Sequence, residues 1–152
     1  MCIRDRLGLG ARFASGQDGW SSTEVTGPPV THDPVRAAVQ TEWMRANPPL
    51  RIGGTSWAYT AAFFDQTVRA REPARLARVA TAVRVIAPTE DAWAAPGSAA
   101  ALCRALPRCV FTPLPGSRHE PHMEVDAVRN AWLAAVLETA EGAPLSPTSS
   151  AR

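Results

Sequence analysis

The sequence predicts an α/β fold in which a helical first half is followed by two parallel strands joined through a helix. Three observations lead there. Ala82-Val83-Arg84-Val85-Ile86-Ala87 is a compact apolar run rich in β-branched residues, as a buried strand requires. Arg108-Cys109-Val110-Phe111-Thr112-Pro113 is a second such run, and the alanine-rich stretch from Gly97 to Leu106 between them reads as a helix. A strand, a helix and a strand in that order make a βαβ unit, whose strands run parallel.

The preceding elements follow from spacing and punctuation. Residues 1–6, Met-Cys-Ile-Arg-Asp-Arg, are similar to a translated sequencing-adapter fragment, so they are expected to be non-native. Leu7 to Phe13 is a short apolar stretch, and Ala14 to Pro29, rich in Gly, Ser, Thr and Pro, reads as an exposed loop. Thr31-His32-Asp33-Pro34 is a helix start, with Thr31 or Asp33 able to cap and Pro34 pre-set for the first turn. That helix runs to about Ala46, with Val35, Val39 and Trp43 on one face and Arg36, Gln40 and Arg45 away from it, and Asn47-Pro48-Pro49 ends it. After the Gly53-Gly54 turn, Trp57, Ala61, Phe64 and Val68 recur at helical spacing to about Arg71, and Pro73 closes the segment. Met123 to Ala140 is the final helix, with Val125, Val128, Trp132, Val136 and Leu137 available for one face. Residues 142–152 read as a disordered tail.

Composition narrows the function classes. The chain has 152 residues, 45% hydrophobic and 20% charged, and a domain of this size buries roughly two-thirds of its unfolded surface. All 16 basic residues are arginine, scattered among 14 acids to a net charge of +2, which gives no nucleic-acid footprint. The longest uncharged apolar run, Ala131 to Leu137, is far short of the roughly 20 residues that span a bilayer, so no stable transmembrane insertion is expected. The N-terminus lacks a signal-peptide core, and the expected location is the cytoplasm, with association at a membrane surface left open. Cys2, Cys103 and Cys109 have neither the even count of a disulfide framework nor the spacing of a zinc site, and are expected to be buried or inert thiols.

The residues that carry chemistry lie after the two strands. In open α/β sheets the loops at the carboxyl ends of parallel strands converge on one crevice. Here the first strand runs into Pro88-Thr89-Glu90-Asp91 and the second into Pro115-Gly116-Ser117-Arg118-His119-Glu120. An acid after one strand and a histidine after the next are what a nucleophile–histidine–acid triad needs, because the carboxylate holds the imidazole tautomer and the imidazole takes the nucleophile's proton. Asp91 and His119 are the candidate catalytic residues, with Glu90 the adjacent competitor for the acid. His122 reads as a surface or helix-start residue and His32 as capping or cap-loop structure. Gly54-Thr55-Ser56-Trp57-Ala58 approaches the Gly-x-Ser-x-Gly nucleophile elbow, but no buried strand precedes it, and Ser56 reads as a helix-start residue. Trp20, Trp43, Trp57, Trp93, Phe63 and Phe64 divide between core and lining for an apolar substrate.

With these residues in place, the chain resembles the α/β-hydrolases of the bacterial lysophospholipase and monoacylglycerol lipase branch, which is like the serine aminopeptidases. Thr31-His32-Asp33 through Asn47-Pro48, with Leu50-Arg51-Ile52-Gly53-Gly54 and Trp57, look like that branch's cap region. Pro88-Thr89-Glu90-Asp91 sits where the family places its triad acid, and Gly116-Ser117-Arg118-His119-Glu120 with Glu124, Asp126 and Arg129 looks like its histidine loop and last helix. The resemblance covers about residues 7–140 and implies the C-terminal part of an α/β-hydrolase fold: a helical cap remnant over residues 7–72, a βαβα part of the core over 73–141, and the tail. It implies hydrolysis of a lipid ester, a lysophospholipid or a monoacylglycerol, through an acyl-enzyme, with no metal or organic cofactor. The family's Gly-x-Ser-x-Gly elbow and oxyanion loop are not among these residues, so the chain alone is expected to be inactive. Two strands without neighbours leave edges open to self-association. The rival expectation is a non-catalytic binding module, or a half-domain that completes a partner chain. A peptidase or haloalkane-type parent is a third, since the fold hosts many chemistries.

Overall fold

Proline and aspartate set the first boundary. Asp33 Oδ1 accepts the N–H groups of Val35 and Arg36, both at 3.0 Å, and so caps helix α1, Pro34–Ala46, whose first turn opens on proline. Thr31 acts one step earlier, its Oγ1 accepting the Asp33 N–H at 3.0 Å. The computed structural model describes residues 8–21 and 29–142, so the adapter-like residues 1–6 and all but the first residue of the expected tail lie outside it. The remaining elements are α2, Trp57–Ala70; α3, Pro73–Leu76; β1, Val83–Pro88; α4, Ser98–Ala105; β2, Cys109–Leu114; and α5, Asp126–Ala140. Short 3-10 turns occupy Pro48–Leu50 and Pro121–Met123.

The described residues divide into two compact units, one formed by residues 8–21 with 40–72 and the other by residues 29–39 with 73–142. In the first, backbone hydrogen bonds pair residues 10–18 with residues 54–58: Ala14 N–H to Thr55 O at 2.9 Å, Trp57 N–H to Arg12 O at 3.0 Å and Gly54 N–H to Asp18 O at 2.7 Å. That approach needs glycine. A Cβ at Gly53 would stand 3.0 Å from both Asp18 O and Gly19 Cα. Arg51 closes the C-terminal end of α1, its guanidinium donating to Met44 O at 3.0 Å and Arg45 O at 3.1 Å while lying 4.6 Å from the centre of the Trp20 ring. A cavity of about 310 Å³ beside it is lined by Gln17, Asp18, Trp20, Met44 and Ile52 among others. On α2, the Phe63 ring meets those of Tyr59 and Phe64, and all three are exposed.

The second unit holds the sheet. β1 and β2 are parallel, paired from Val83 with Cys109 to Pro88 with Leu114, as the crossover through α4 dictates. Leu76, Ala87, Cys103, Leu114 and Ala135 are its buried apolar side chains. Arg84 points from β1 toward α5 with its side chain 3% exposed, donating to Glu138 Oε2 at 2.9 Å. This ion pair fastens strand to helix.

One expectation is corrected here. Cys103 and Cys109, expected to be buried or inert thiols, form a disulfide between the last turn of α4, where Cys103 is buried, and the first residue of β2, their Cα atoms 5.3 Å apart. Leu106, Pro107 and Arg108 turn the chain sharply enough between the two elements to bring these cysteines together.

Candidate active site

The two strand ends are stitched to each other before the functional side chains begin. Thr89 N–H donates to Leu114 O at 3.2 Å, Glu90 N–H donates to Ser117 O at 2.9 Å, and the Thr89 hydroxyl oxygen accepts the Gly116 N–H at 3.1 Å. Gly116 turns the second loop with φ of +69°, a left-handed conformation that glycine adopts without a Cβ penalty. The loop after β1 and the loop after β2 are thus fixed at one end of the sheet, as the parallel topology anticipates.

Asp91 and His119 meet there. His119 Nδ1 lies 3.1 Å from Asp91 Oδ1 and 3.0 Å from Oδ2. Asp91 Oδ1 also accepts the N–H groups of Trp93 at 2.7 Å and Ala94 at 3.1 Å, a local turn that anchors the carboxylate two and three residues along its own chain. The Asp91 side chain is 13% exposed and that of His119 41%. Burial pushes the Asp91 carboxyl up, but the hydrogen bond from His119, the amides of Trp93 and Ala94 and the charge of the imidazole outweigh it and leave the carboxyl below its ordinary value. The Trp93 ring stands 6.1 Å from the imidazole, centre to centre. A carboxylate on Nδ1 holds the proton there, so Nε2 presents its lone pair as a base.

The neighbouring acid faces a different imidazole. Glu90 Oε2 lies 3.2 Å from His32 Nε2, while His32 Nδ1 lies 3.0 Å from Glu124 Oε1. The segment carrying His32 is held on the histidine loop by three further bonds: Arg118 to Thr31 O at 2.9 Å, Glu120 N–H to Val30 O at 2.9 Å, and the Thr31 hydroxyl to Met123 O at 2.7 Å. His32, expected to be capping or cap-loop structure, bridges the carboxylates of Glu90 and Glu124. Arg36, on α1, donates to Glu124 O and to Asp126.

The other candidates lie apart from this pair. His122 contacts Glu120 at 3.2 Å and the Trp132 ring, with centres 6.2 Å apart. Ser56 caps α2, its hydroxyl oxygen accepting the Tyr59 N–H at 3.2 Å, and the residues before it form only an isolated bridge between Phe13 and Ser56. Glu124, which the motif reading left without a role, is fully buried beside this pair's loops. Its signal in the sequence is weak: an acid five residues after the histidine, just ahead of a helix. Among the described residues no group of three His, Cys, Asp or Glu side chains is arranged to hold a metal ion, and no helix is long and apolar enough to cross a membrane.

No family profile matches the chain, and neither does any curated protein sequence. Solved structures do. A soluble variant of monoglyceride lipase from Saccharomyces cerevisiae, in complex with a substrate analogue, superposes with a TM-score of 0.59 at 16% identity, covering 77% of this chain and 42% of that one. The monoacylglycerol lipase of Paleococcus ferrophilus superposes with a TM-score of 0.60 at 18% identity, covering 89% of this chain and 49% of that one. The chain therefore spans less than half the length of these neighbours. Both are α/β-hydrolases, and the two-stranded parallel sheet with flanking helices is a part of that fold.

Proposed function

We propose that the chain is the C-terminal part of a serine carboxylic-ester hydrolase acting on monoacylglycerols or lysophospholipids. The observation that carries the reading is the bidentate approach of the Asp91 carboxylate to His119 Nδ1 at the sheet's C-terminal edge. The nucleophilic serine belongs to a segment outside these 152 residues. His119 Nε2 takes the proton of that serine as its oxygen attacks the ester carbonyl, and the resulting imidazolium is stabilised by Asp91. Collapse of the tetrahedral intermediate breaks the ester bond, the imidazolium passes its proton to the departing alcohol, and an acyl-enzyme remains. Water then attacks the acyl group with the same imidazole as base, releasing the fatty acid. Acyl transfer of this kind needs neither metal nor organic cofactor.

The uncovered apolar surface supports a partial core. Phe111 on β2 and Val136 and Leu137 on α5 are exposed, as are Val35, Val39 and Trp43, which form the apolar stripe of α1. Residues 7–72 supply the cap in this reading, with α1 and α2 in it, and its aromatic side chains supply apolar surface for an acyl chain.

Recovering the contiguous upstream reading frame and producing the joined protein tests the proposal. The joined protein is expected to hydrolyse monooleoylglycerol and to be labelled by a fluorophosphonate at an upstream serine, while His119→Ala and Asp91→Ala abolish turnover. The 152-residue chain alone is expected to do neither. Labelling at Ser56, or full turnover by the His119→Ala variant, overturns the reading.

A further inference from the structure

The most completely buried side chains among the described residues are polar: Glu124 and Ser117, each 0% exposed. A carboxylate removed from water must be met by donors. Glu124 Oε1 accepts the Arg118 N–H at 2.8 Å and lies 3.0 Å from His32 Nδ1, while Oε2 accepts the N–H groups of His32 at 3.1 Å and Val125 at 3.3 Å. Desolvation opposes its charge, yet the amides of Arg118 and His32 and the His32 imidazole outweigh that and keep the carboxyl below its ordinary value. Both oxygens are thus used as acceptors, a role an amide of the same shape cannot fill, because its nitrogen would set donors against donors.

The position of these donors gives the carboxylate a purpose. Arg118 immediately precedes His119, and His32 reaches Glu90, which immediately precedes Asp91. The geometry points to Glu124 as a positioning residue for the Asp91–His119 pair, fixing the histidine loop through the Arg118 amide and the acid loop through His32 and Glu90. This inference rests on the reading of Asp91 and His119 as the working pair. Buried and ionised, Glu124 is a rigid common reference for two loops whose side chains must meet within a fraction of an ångström, since a misplacement of about 1 Å can cost roughly 100-fold in rate.

Nuclear magnetic resonance on the 152-residue chain tests it, reading the His119 imidazole tautomer and the hydrogen exchange of the Arg118 amide. In Glu124→Gln the Arg118 amide is expected to exchange roughly tenfold faster or more, as fits the loss of a charge-assisted hydrogen bond. His119 is expected to leave its single Nδ1-protonated tautomer for a mixture. Leu76→Ala, a core truncation in α3, is the control for lost stability and is expected to change neither signal. Unchanged signals in Glu124→Gln, or equal changes in Leu76→Ala, overturn the inference. Asp91→Asn separates it from the underlying reading: it is expected to remove the His119 signature and leave the Arg118 amide protected. A wild-type chain without an Asp91-dependent tautomer sinks the catalytic reading itself. Should Glu124→Gln fail to fold, His32→Ala cuts the link to Glu90 and leaves the Arg118 bond in place. There the His119 tautomer is expected to become mixed with Arg118 still protected, and an unchanged His119 overturns the inference.

Discussion

Replacing Asp91 by asparagine removes a charge while keeping the shape, and its effect on stability should depend on pH in a defined direction. The carboxylate makes three charge-assisted contacts, to His119 Nδ1 and to the amides of Trp93 and Ala94. Asparagine can keep its carbonyl oxygen toward the two amides, but its NH2 then faces His119 Nδ1 and drives the imidazole to the other tautomer. A hydrogen bond to a charged group contributes about 1.5–3 kcal/mol and a neutral one about 0.5–1.5, so each contact loses about 1 kcal/mol. Screening at the half-exposed imidazole reduces the third, leaving about 2 kcal/mol in all at neutral pH. Because the Asp91 carboxyl lies below its ordinary value in the folded chain, its contribution is present above the unfolded-state pKa and is lost as pH falls through the folded one. Urea unfolding of both proteins from pH 7 to about pH 2 should therefore show a gap that is full at neutral pH and closes below the ordinary carboxylate range near 4. A gap that is absent at pH 7, or that persists undiminished in acid, refutes the reasoning. In the joined enzyme the wrong tautomer should lower kcat by about 10⁴-fold, the size of the effect known for triads.

Three further outcomes follow from other parts of the structure. Ser56→Ala should cost about 1 kcal/mol in urea unfolding through loss of the α2 cap, and should leave fluorophosphonate labelling of the joined protein unchanged. Iodoacetamide should add two more groups, counted by intact mass, to the denatured reduced chain than to the denatured non-reduced one. Reduction should also cost about 2 kcal/mol, the loop entropy of a crosslink between residues six apart. Equal adduct counts would show that the two thiols remain reduced, as in the cytosol, where disulfides are rare. Gly53→Ala should destabilise the chain by about 1–3 kcal/mol in the same urea assay, because the added Cβ meets backbone atoms of Asp18 and Gly19 that cannot swing aside.

Much of the fold was legible because the strands are dense in β-branched residues and the helices are bounded by proline, glycine and caps. Both strands nonetheless extend one residue beyond their expected ends, to Pro88 and Leu114. At β1 the missed residue is Pro88, because proline reads as a breaker in sequence whereas a two-stranded sheet has edges that tolerate it. The last helix begins at Asp126 rather than Met123, because Pro121–Met123 forms a separate 3-10 turn and Glu124 is extended. Helical periodicity identified the apolar stripe of α1 but carries no information on what covers it, and Val35 and Trp43 are exposed. The disulfide was invisible because three cysteines at irregular spacing make no pattern. Only the turn from α4 into β2 pairs two of them.

The least legible feature was the division of labour between adjacent acids. Glu90 and Asp91 follow the same strand, and spacing alone offers either one to a histidine. The structure separates them by side-chain length and local anchoring. Asp91 is short enough for its carboxylate to accept the amides of Trp93 and Ala94, so the oxygens facing His119 are held by the chain that carries them. Glu90 has one more rotatable bond, is half-exposed and reaches His32. A group that must fix an imidazole tautomer gains from having few rotors to immobilise, whereas a group that links two loops gains from reach. Two neighbouring carboxylates thus serve two imidazoles, and the buried Glu124 meets the second of them from its other side. His119 and His32, far apart in sequence, are thereby each held by carboxylates, and the two sets join through the chain itself, where Glu90 precedes Asp91 and where Arg118, whose amide meets Glu124, precedes His119.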